Sequence, residues 1–444
     1  MEKIVSLCKR RGFIFQSSEI YGGLNGLWDY GPLGVELKRN LKNYWWRVTV
    51  HERDDVVGMD GAILTHPEVL KASGHVEGFS DPMIDCRTCK AHLRFDQLIE
   101  KKGVKQCPNC GGRDLTDARQ FNLIFETHVG AAAEESSIAY LRPETAQSIF
   151  VQFKNSLEVS RKKLPFGIAQ IGKAFRNEIN PRNFTFRSRE FEQMELEYFC
   201  RPEQGMELLE YWKGERLKFY ENIGISRASL HVRNVPDEER AFYSKGTYDI
   251  EYDFPFGQQE LEGVAYRTDY DLSQHQKASG KSLEYFDEET KQRFIPHVVE
   301  PSAGVDRTVL AMICEAYAED QAPNDKGEME TRTVLRFHPR MAPIKCAIFP
   351  LLKNKEPLVA KAKEVVDLLR PHMFVFYDES GAIGRRYRRQ DEIGTPFCVT
   401  VDFETLGEKD EKLRDTVTLR ERDSMKQERI AISDLLAALS VRIA

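Results

Sequence analysis

The apolar positions of this 444-residue chain follow two rhythms, and the change between them falls at Pro343. In the first part, a glycine-rich opening ends at Gly34, and Val35, Leu37, Leu41, Trp45 and Val48 then recur at helical spacing, which predicts an amphipathic helix. Trp45-Trp46 at its end is a large apolar surface, for the core or for a second subunit to cover. Tyr140 to Thr145 reads as the end of a strand, with Thr145 capping a helix that runs through Phe153. Phe166 to Phe175 reads as a strand, and from Phe175 to Phe199 two strand-forming halves flank the polar turn Asn180-Pro181-Arg182-Asn183, which predicts a hairpin. Met206, Leu209, Trp212, Leu217 and Tyr220 mark a helix over 205–222. A strand-rich section centred on YDIEYDFPFGQQELEGVAYRTDYDL follows, then a polar excursion over 275–295. Pro296 to Val299 makes a short strand, and EPSAGVDR leads into a helix. Residues 318–342, containing AEDQAPNDKGEMETR, read as a polar linker.

Beyond Pro343 the elements are shorter and alternate. IKCAIFPL, FVFYDE, FCVTVD and TVTLRER predict strands; Pro357–Leu369, Ile383–Glu392 and Ile432–Leu439 predict helices. Alternating β and α units of this length indicate a separate small α/β domain over 343–444, after a larger one over 1–340.

Hydrophobic residues are 41% of the chain and charged residues 30%, the balance of a soluble globular protein. No apolar run approaches the ~18 residues of a membrane span, and MEKIVSLCKRRGF lacks a signal peptide's apolar region. The expectation is a cytoplasmic protein with no membrane partner. Net charge is −6, so any nucleic-acid contact must come from local patches.

Nine cysteines are an odd number, which with no secretory signal argues against a disulfide framework. Cys8, Cys200, Cys314, Cys346 and Cys398 stand singly and read as buried small hydrophobes. The other four form Cys86-x-x-Cys89 and Cys107-x-x-Cys110, seventeen residues apart, within an insertion over 81–120. Each pair can aim two sulfurs at one tetrahedral ion, so a zinc-ribbon-like module with structural Zn²⁺ is predicted. All four positions are filled by thiols, and none stays open for catalysis.

The Phe175–Phe199 stretch interleaves Arg176, Arg182, Arg187 and Arg189 with Glu178, Glu190, Glu192, Glu195, Phe184, Phe186 and Phe191. It is either a solvated hairpin or the floor of a site for an anion bearing a flat ring, with guanidinium forks for phosphates and an aromatic face for the base. Neither GxxxxGK[ST] nor GxGxxG after a strand occurs, which excludes a P-loop and a dinucleotide fold. The chain offers instead Arg-x-Glu at 176–178, Arg-x-x-x-Phe at 187–191, and Gly304-Val305-Asp306-Arg307 before a helix.

Phe175-Arg176-Asn177-Glu178, a loop and Arg187-x-x-x-Phe191 resemble motif 2 of the class II aminoacyl-tRNA synthetases (about 175–199), and Gly304-Val305-Asp306-Arg307 resembles their motif 3 (about 300–317). The helix after Gly34, with the strand beyond it, stands where motif 1, the dimerisation element, is expected (about 34–68). SSEIYGGLNGLWDYGPLG, LRPETAQ, FEQMELEYF and EPSAGVDR are similar to segments of the glycine-specific branch of the class, the α₂ dimeric type. The resemblance implies an α+β fold: an antiparallel-sheet catalytic domain with the zinc-ribbon-like insertion, then an α/β anticodon-binding domain. It implies a homodimer that joins glycine to tRNA(Gly) with ATP and Mg²⁺, through glycyl-adenylate. Arg176 would grip the α-phosphate and Glu178 accept from the adenine amino group. Phe191 and Arg307 would cover the faces of adenine, Arg187 and Arg307 reach the phosphate tail, and Glu260 carry the metal. Asn177, Phe186, Leu261 and Gly304 complete the implied ATP site. For glycine the implied set is Glu144, Glu192 and Glu300 for the ammonium, Ser302 and Gln193 as polar contacts, and Phe191, Glu195, Gly304 and Arg94. Arg94 lies in the insertion, where a surface role is the alternative. In the C-terminal domain, Gly384-Arg385-Arg386-Tyr387-Arg388-Arg389-Gln390 is a basic run that either meets phosphate or makes salt bridges within the domain. A class II enzyme for proline or threonine, or a synthetase-like protein without catalysis, are the competing readings. The first would lack IYGGLNGLWDYGPLG and EPSAG; the second would have lost the motif arginines, all of which are present.

Overall fold

The computed structural model describes the chain except residues 96, 97, 99–105, 133 and 324–326, so the centre of the 81–120 insertion and the tip of the 318–342 segment lie outside the described residues. The larger part is built on a seven-stranded sheet. In chain order its strands are β1 (Val56–Gly58), β2 (Phe166–Phe175), β3 (Glu190–Cys200), β4 (Leu230–Asn234), β5 (Gly246–Phe254), β6 (Gly257–Thr268) and β7 (His297–Gly304). Their spatial order is β4-β5-β6-β7-β3-β2-β1. All neighbours are antiparallel except β2 and β1.

Strand side chains alternate between faces, and one face of this sheet is apolar. Met194, Leu196 and Tyr198 of β3 enter the main core with residues of four helices, α1 (Glu2–Arg11), α2 (Pro32–Trp46), α3 (Gly205–Asn222) and α4 (Val305–Ala316). Trp45 is buried in that core and Trp46 packs partly against it, so both belong to the core of this chain. Gly34 shows why α2 sits so close: a Cβ there would lie 1.8 Å from the Phe13 carbonyl oxygen.

Four expectations change. The hairpin's first strand ends at Phe175, where it was expected to run on to the turn at Asn180; residues 176–189 form a loop with a 3₁₀ turn at Phe184–Phe186. Asn183 and Phe184 take positive φ (58° and 60°), which breaks the extended backbone. The helix from Thr145 is divided at Gln152, and the Thr145 hydroxyl donates to Glu195 instead of capping. The strand expected at Pro296–Val299 extends through EPSAG to Gly304. The linker is a hairpin of two strands, β8 (Tyr317–Pro323) and β9 (Met329–Leu335). Its polar residues misled because they pair: Arg332 is buried and bonds to Asp320 (Nε to Oδ1, 2.7 Å) and to Asp391 (Nη1 to Oδ2, 3.2 Å).

The C-terminal residues have their own core, around Ile348, Val365, Val399 and Leu435. Strands β10 (Cys346–Pro350), β11 (Val375–Tyr377), β12 (Phe397–Val401), β13 (Thr416–Glu421) and β14 (Gln427–Ala431) form one mixed sheet in the order β11-β10-β12-β13-β14. Helices α5 (Glu356–Leu369) and α7 (Ile432–Ile443) contribute to that core, and α6 (Ile383–Ile393) meets Ala347, Phe349 and Cys398 on the other face. The α6 basic run is used internally for the most part: Arg386 is buried against backbone carbonyls, Arg388 reaches Asp391, and Arg389 reaches Asp378. Asp391 is fully buried between Arg332 of the hairpin and Arg420 of β13, the latter held by two bonds of 2.8 and 3.0 Å. Removing it leaves the buried Arg420 guanidinium without a carboxylate partner and takes one of the two carboxylates that hold Arg332. Asp391→Ala should therefore cost about 3–5 kcal/mol, seen as a lower Tm for the C-terminal domain; an unchanged Tm contradicts this account.

Candidate active site

The face of the sheet opposite the core carries Phe191, Gln193, Glu195 and Glu197 along β3, alternating with Met194, Leu196 and Tyr198. Strand β7 sets Ser302 opposite Glu195 and Gly304 opposite Gln193, and β6 sets Ala265 opposite Glu300. An open cavity of about 730 Å³ lies above this face, bounded by Arg176, Glu178, Phe186, Arg187, Phe191 and Arg307, with Leu261 and Gly304 also on its wall. A second compartment of about 930 Å³ is walled by Glu144, Glu195, Arg267 and Glu300. Arg176, Gln193, Glu260 and Ser302 line both.

One end is cationic. The Arg307 guanidinium lies 4.4 Å from the Phe186 ring centroid and 3.4 Å from Glu260. Arg176 sits between two rings, 5.4 Å from Phe191 and 5.3 Å from Phe79, and its Nε donates to the Pro143 carbonyl at 3.0 Å. Burial and the charges of Arg94, Arg182 and Arg307 draw Arg187 below its ordinary pKa, against the pull of Glu178. The nearest Arg187–Glu178 approach is 3.8 Å, and Arg187 Nη1 and Glu178 Oε2 are both buried without a hydrogen-bond partner among the described residues. Buried N–H and carboxylate groups left open in this way mark a place where a ligand belongs.

The other end is acidic. Glu195 accepts from the Thr145 N–H (2.9 Å) and hydroxyl, from Gln193 Nε2 (2.8 Å) and from the Ser302 hydroxyl (2.6 Å). Arg267 donates to Glu300 at 2.7 Å and holds Asp271 through two bonds. Burial pushes Glu300 up to about 7, Arg267 opposing and Glu195 and Glu144 reinforcing the rise. Burial, then the charge of Glu300, raises Glu197 well above the carboxylate range. No described donor reaches either Glu197 oxygen, so nothing there offsets its burial and the neighbouring charge of Glu300. Glu144 is opposite in sign. Against the effect of burial, His75 and Arg267 hold it well below the usual carboxylate range.

Three of the sequence-derived candidates have partners outside the acidic cluster. Glu192 is on the core side of β3, because an even residue cannot share a face with Gln193 and Glu195. Its carboxylate meets Lys38 at 2.7 Å and Lys42 at 2.9 Å, and these cations, against burial, bring it down to about 2. It lines the cationic cavity without joining the acidic cluster. Arg94 pairs with Asp81 at 2.8 Å in the insertion's small sheet and lines neither compartment, although its charge is felt by Arg187. Asn177 serves through its backbone, donating to the Leu123 carbonyl at 2.8 Å.

Sequence reasoning passed over Glu197, Arg267, His75 and Asp306. Acids at 193+2n on a strand were a readable signal for Glu197; nothing local marks Arg267 or His75. Asp306 ties three elements together, accepting from Tyr30 (2.6 Å), Lys38 (2.8 Å) and the Glu192 N–H (2.7 Å). The insertion brings the Cys86, Cys89, Cys107 and Cys110 sulfurs within 4.8 Å of one another, the set of a single metal ion. Backbone N–H groups of Cys89 and Thr88 lower the Cys86 thiol to about 6, favouring the thiolate a metal needs.

Comparison with known proteins agrees with this geometry. Residues 126–317 match the family described as tRNA synthetase class II core domain (G, H, P, S and T), and residues 345–442 match the anticodon binding domain. The fold and site are therefore those of a class II aminoacyl-tRNA synthetase. Proteins named glycine–tRNA ligase from Thermobifida fusca and Treponema denticola are each 52% identical over 100% of this chain and 98% and 97% of their own lengths. One from Streptomyces coelicolor is 51% identical over 100% of the chain. The chain belongs to the glycine–tRNA ligase family.

Proposed function

We propose that the chain activates glycine with ATP and transfers the glycyl group to the 3′ end of tRNA(Gly). The observation that carries this reading is the single open site with guanidiniums at one end and carboxylates at the other, joined through Arg176, Gln193, Glu260 and Ser302. ATP takes the cationic end. Arg187 and Arg307 hold its phosphate tail, Arg176 the α-phosphate, and Glu178 accepts from the adenine amino group while Phe191 packs on the ring. Glu260 would hold Mg²⁺, which when bound would neutralise charge on the phosphates. The glycine ammonium takes the acidic end, among Glu144, Glu195, Glu300 and the Ser302 hydroxyl. An oxygen of its carboxylate attacks the α-phosphorus in line; the bridging P–O bond breaks and pyrophosphate leaves. The 3′-hydroxyl of the terminal adenosine then attacks the acyl carbon, and AMP leaves with the electron pair. Positioning and electrostatics do this chemistry, with Arg176 stabilising the charge that develops at phosphorus.

In this reading residues 1–340 activate glycine, residues 343–444 contact the tRNA anticodon, and Zn²⁺ on the four cysteines folds the insertion. A homodimer forms through the motif 1 region, where Val35, Ile63 and Leu64 are exposed. The free cysteines suit the reducing cytoplasm.

Glycine-dependent ATP–pyrophosphate exchange, with alanine, proline and threonine as controls, tests the proposal. Exchange is expected with glycine alone, and Glu144→Ala or Glu300→Ala should reduce it by about a hundredfold or more. Exchange with another amino acid, or intact exchange in both variants, overturns the assignment. Structural zinc is worth about 10–16 kcal/mol of apparent binding free energy in small modules. Chelation should therefore speed amide hydrogen exchange across residues 81–120 and spare the seven-stranded sheet; unchanged exchange in the insertion counts against zinc.

A further inference from the structure

We propose that His75 and Phe79, just before the cysteine-bearing insertion, are positioning residues that couple the two ends of the substrate site, His75 by orienting Glu144 and Phe79 by seating Arg176. The inference rests on the glycine-activation reading above and adds to it two residues that touch neither nucleotide nor amino acid in that reading.

The chain makes a sharp turn to bring them there. After the helix Pro67–Ala72, Gly74 takes φ +82°, a conformation that side chains disfavour, and the short helix His75–Gly78 delivers Phe79. His75 is nearly buried, with Nε2 3.3 Å from a Glu144 oxygen and Nδ1 2.7 Å from the Ser73 hydroxyl. In the arrangement where that hydroxyl donates to the Leu70 carbonyl at 3.2 Å, Nδ1 donates to it. Glu144 can only accept, so Nε2 also carries a proton. Both nitrogens are then donors, and in that arrangement the ring is an imidazolium paired with Glu144. Its pKa agrees: burial lowers it, but Glu144 raises it above the ordinary 6.5, with Arg176 opposing.

The remaining contacts close a ring. Phe79 lies 5.4 Å from the His75 ring and 5.3 Å from the Arg176 guanidinium, whose other side faces Phe191. Arg176 Nε bonds back to Pro143, the residue covalently joined to Glu144. A shift of the phosphate-gripping arginine is thus transmitted to the ammonium-binding carboxylate along two short routes. One consequence has a definite sign. A glycine ammonium at Glu144 competes with the imidazolium, so binding glycine should expel the His75 proton. Affinity for glycine then rises with pH as His75 deprotonates. Charged or titratable groups facing His75 are Glu144, Arg176, Arg267 and His275. Glu300, at about 7, shifts affinity in the same direction, so the decisive comparison is between variant and parent.

The test is pyrophosphate exchange by the full chain and by His75→Gln, Phe79→Leu and Phe79→Tyr, with KM for glycine and for ATP measured separately from about pH 6 to pH 9, the range that spans histidine titration. For the parent, KM for glycine should fall as pH rises. His75→Gln should change it about tenfold and flatten part of that slope, with KM for ATP within about twofold. Phe79→Leu should act mainly on kcat and KM for ATP, and Phe79→Tyr should restore them. Equal effects on both substrates, or a glycine pH profile in His75→Gln parallel to the parent's, overturn the proposal. A readout without substitution is the NMR titration of His75, whose pKa should drop in saturating glycine; an unchanged pKa also overturns it. A parent with no glycine-dependent exchange would sink the underlying functional reading instead.

Discussion

A β-strand sends successive side chains to opposite faces, and in β3 this period separates the hydrophobic core from the chemistry. Met194, Leu196 and Tyr198 anchor the strand to the helices behind it. Because that face is locked by packing, Gln193, Glu195 and Glu197 cannot turn away from the site. A slip of one residue would put two acids into the core and Leu196 into the site. Asp306 guards the register from the end of α4 by accepting from the Glu192 N–H, and Lys38 joins α2 to the same point.

On this frame, like charges stand close together at both ends of the site. Arg176, Arg187 and Arg307 share the wall of one compartment, and Glu144, Glu195 and Glu300 that of the other. Such clusters are unfavourable in a ligand-free protein, and burial and mutual repulsion raise the pKa of Glu197 and Glu300. A zwitterionic amino acid and a polyphosphate bring opposite charges to each end. In the proposed reading, repulsion among these groups would become attraction to the substrates, with donors and acceptors already placed.

Much of this was legible in the sequence. The period-two run QMELEY announced a strand with an acidic face, the paired CxxC motifs announced converging sulfurs, and the β/α alternation after Pro343 announced a second core. What was not legible depended on contacts distant in sequence. Nothing near Glu192 in the sequence shows that α2 brings Lys38 and Lys42 to its carboxylate. The 318–342 segment looked like a linker because its charges find partners only when β8 and β9 pair and Asp391 arrives from α6. His75 and Arg267 carry no local pattern; their importance comes from Glu144 and Glu300, which lie on other elements.

The central claim is that a fixed row of carboxylates selects the substrate by its ammonium group. Calorimetric titration with a non-hydrolysable glycyl-adenylate analogue and with the same molecule lacking the amino group measures this directly. Charge-assisted hydrogen bonds to Glu144, Glu195 and Glu300 should make the amino compound tighter by on the order of a hundredfold or more. Equal affinity of the two compounds would contradict the account.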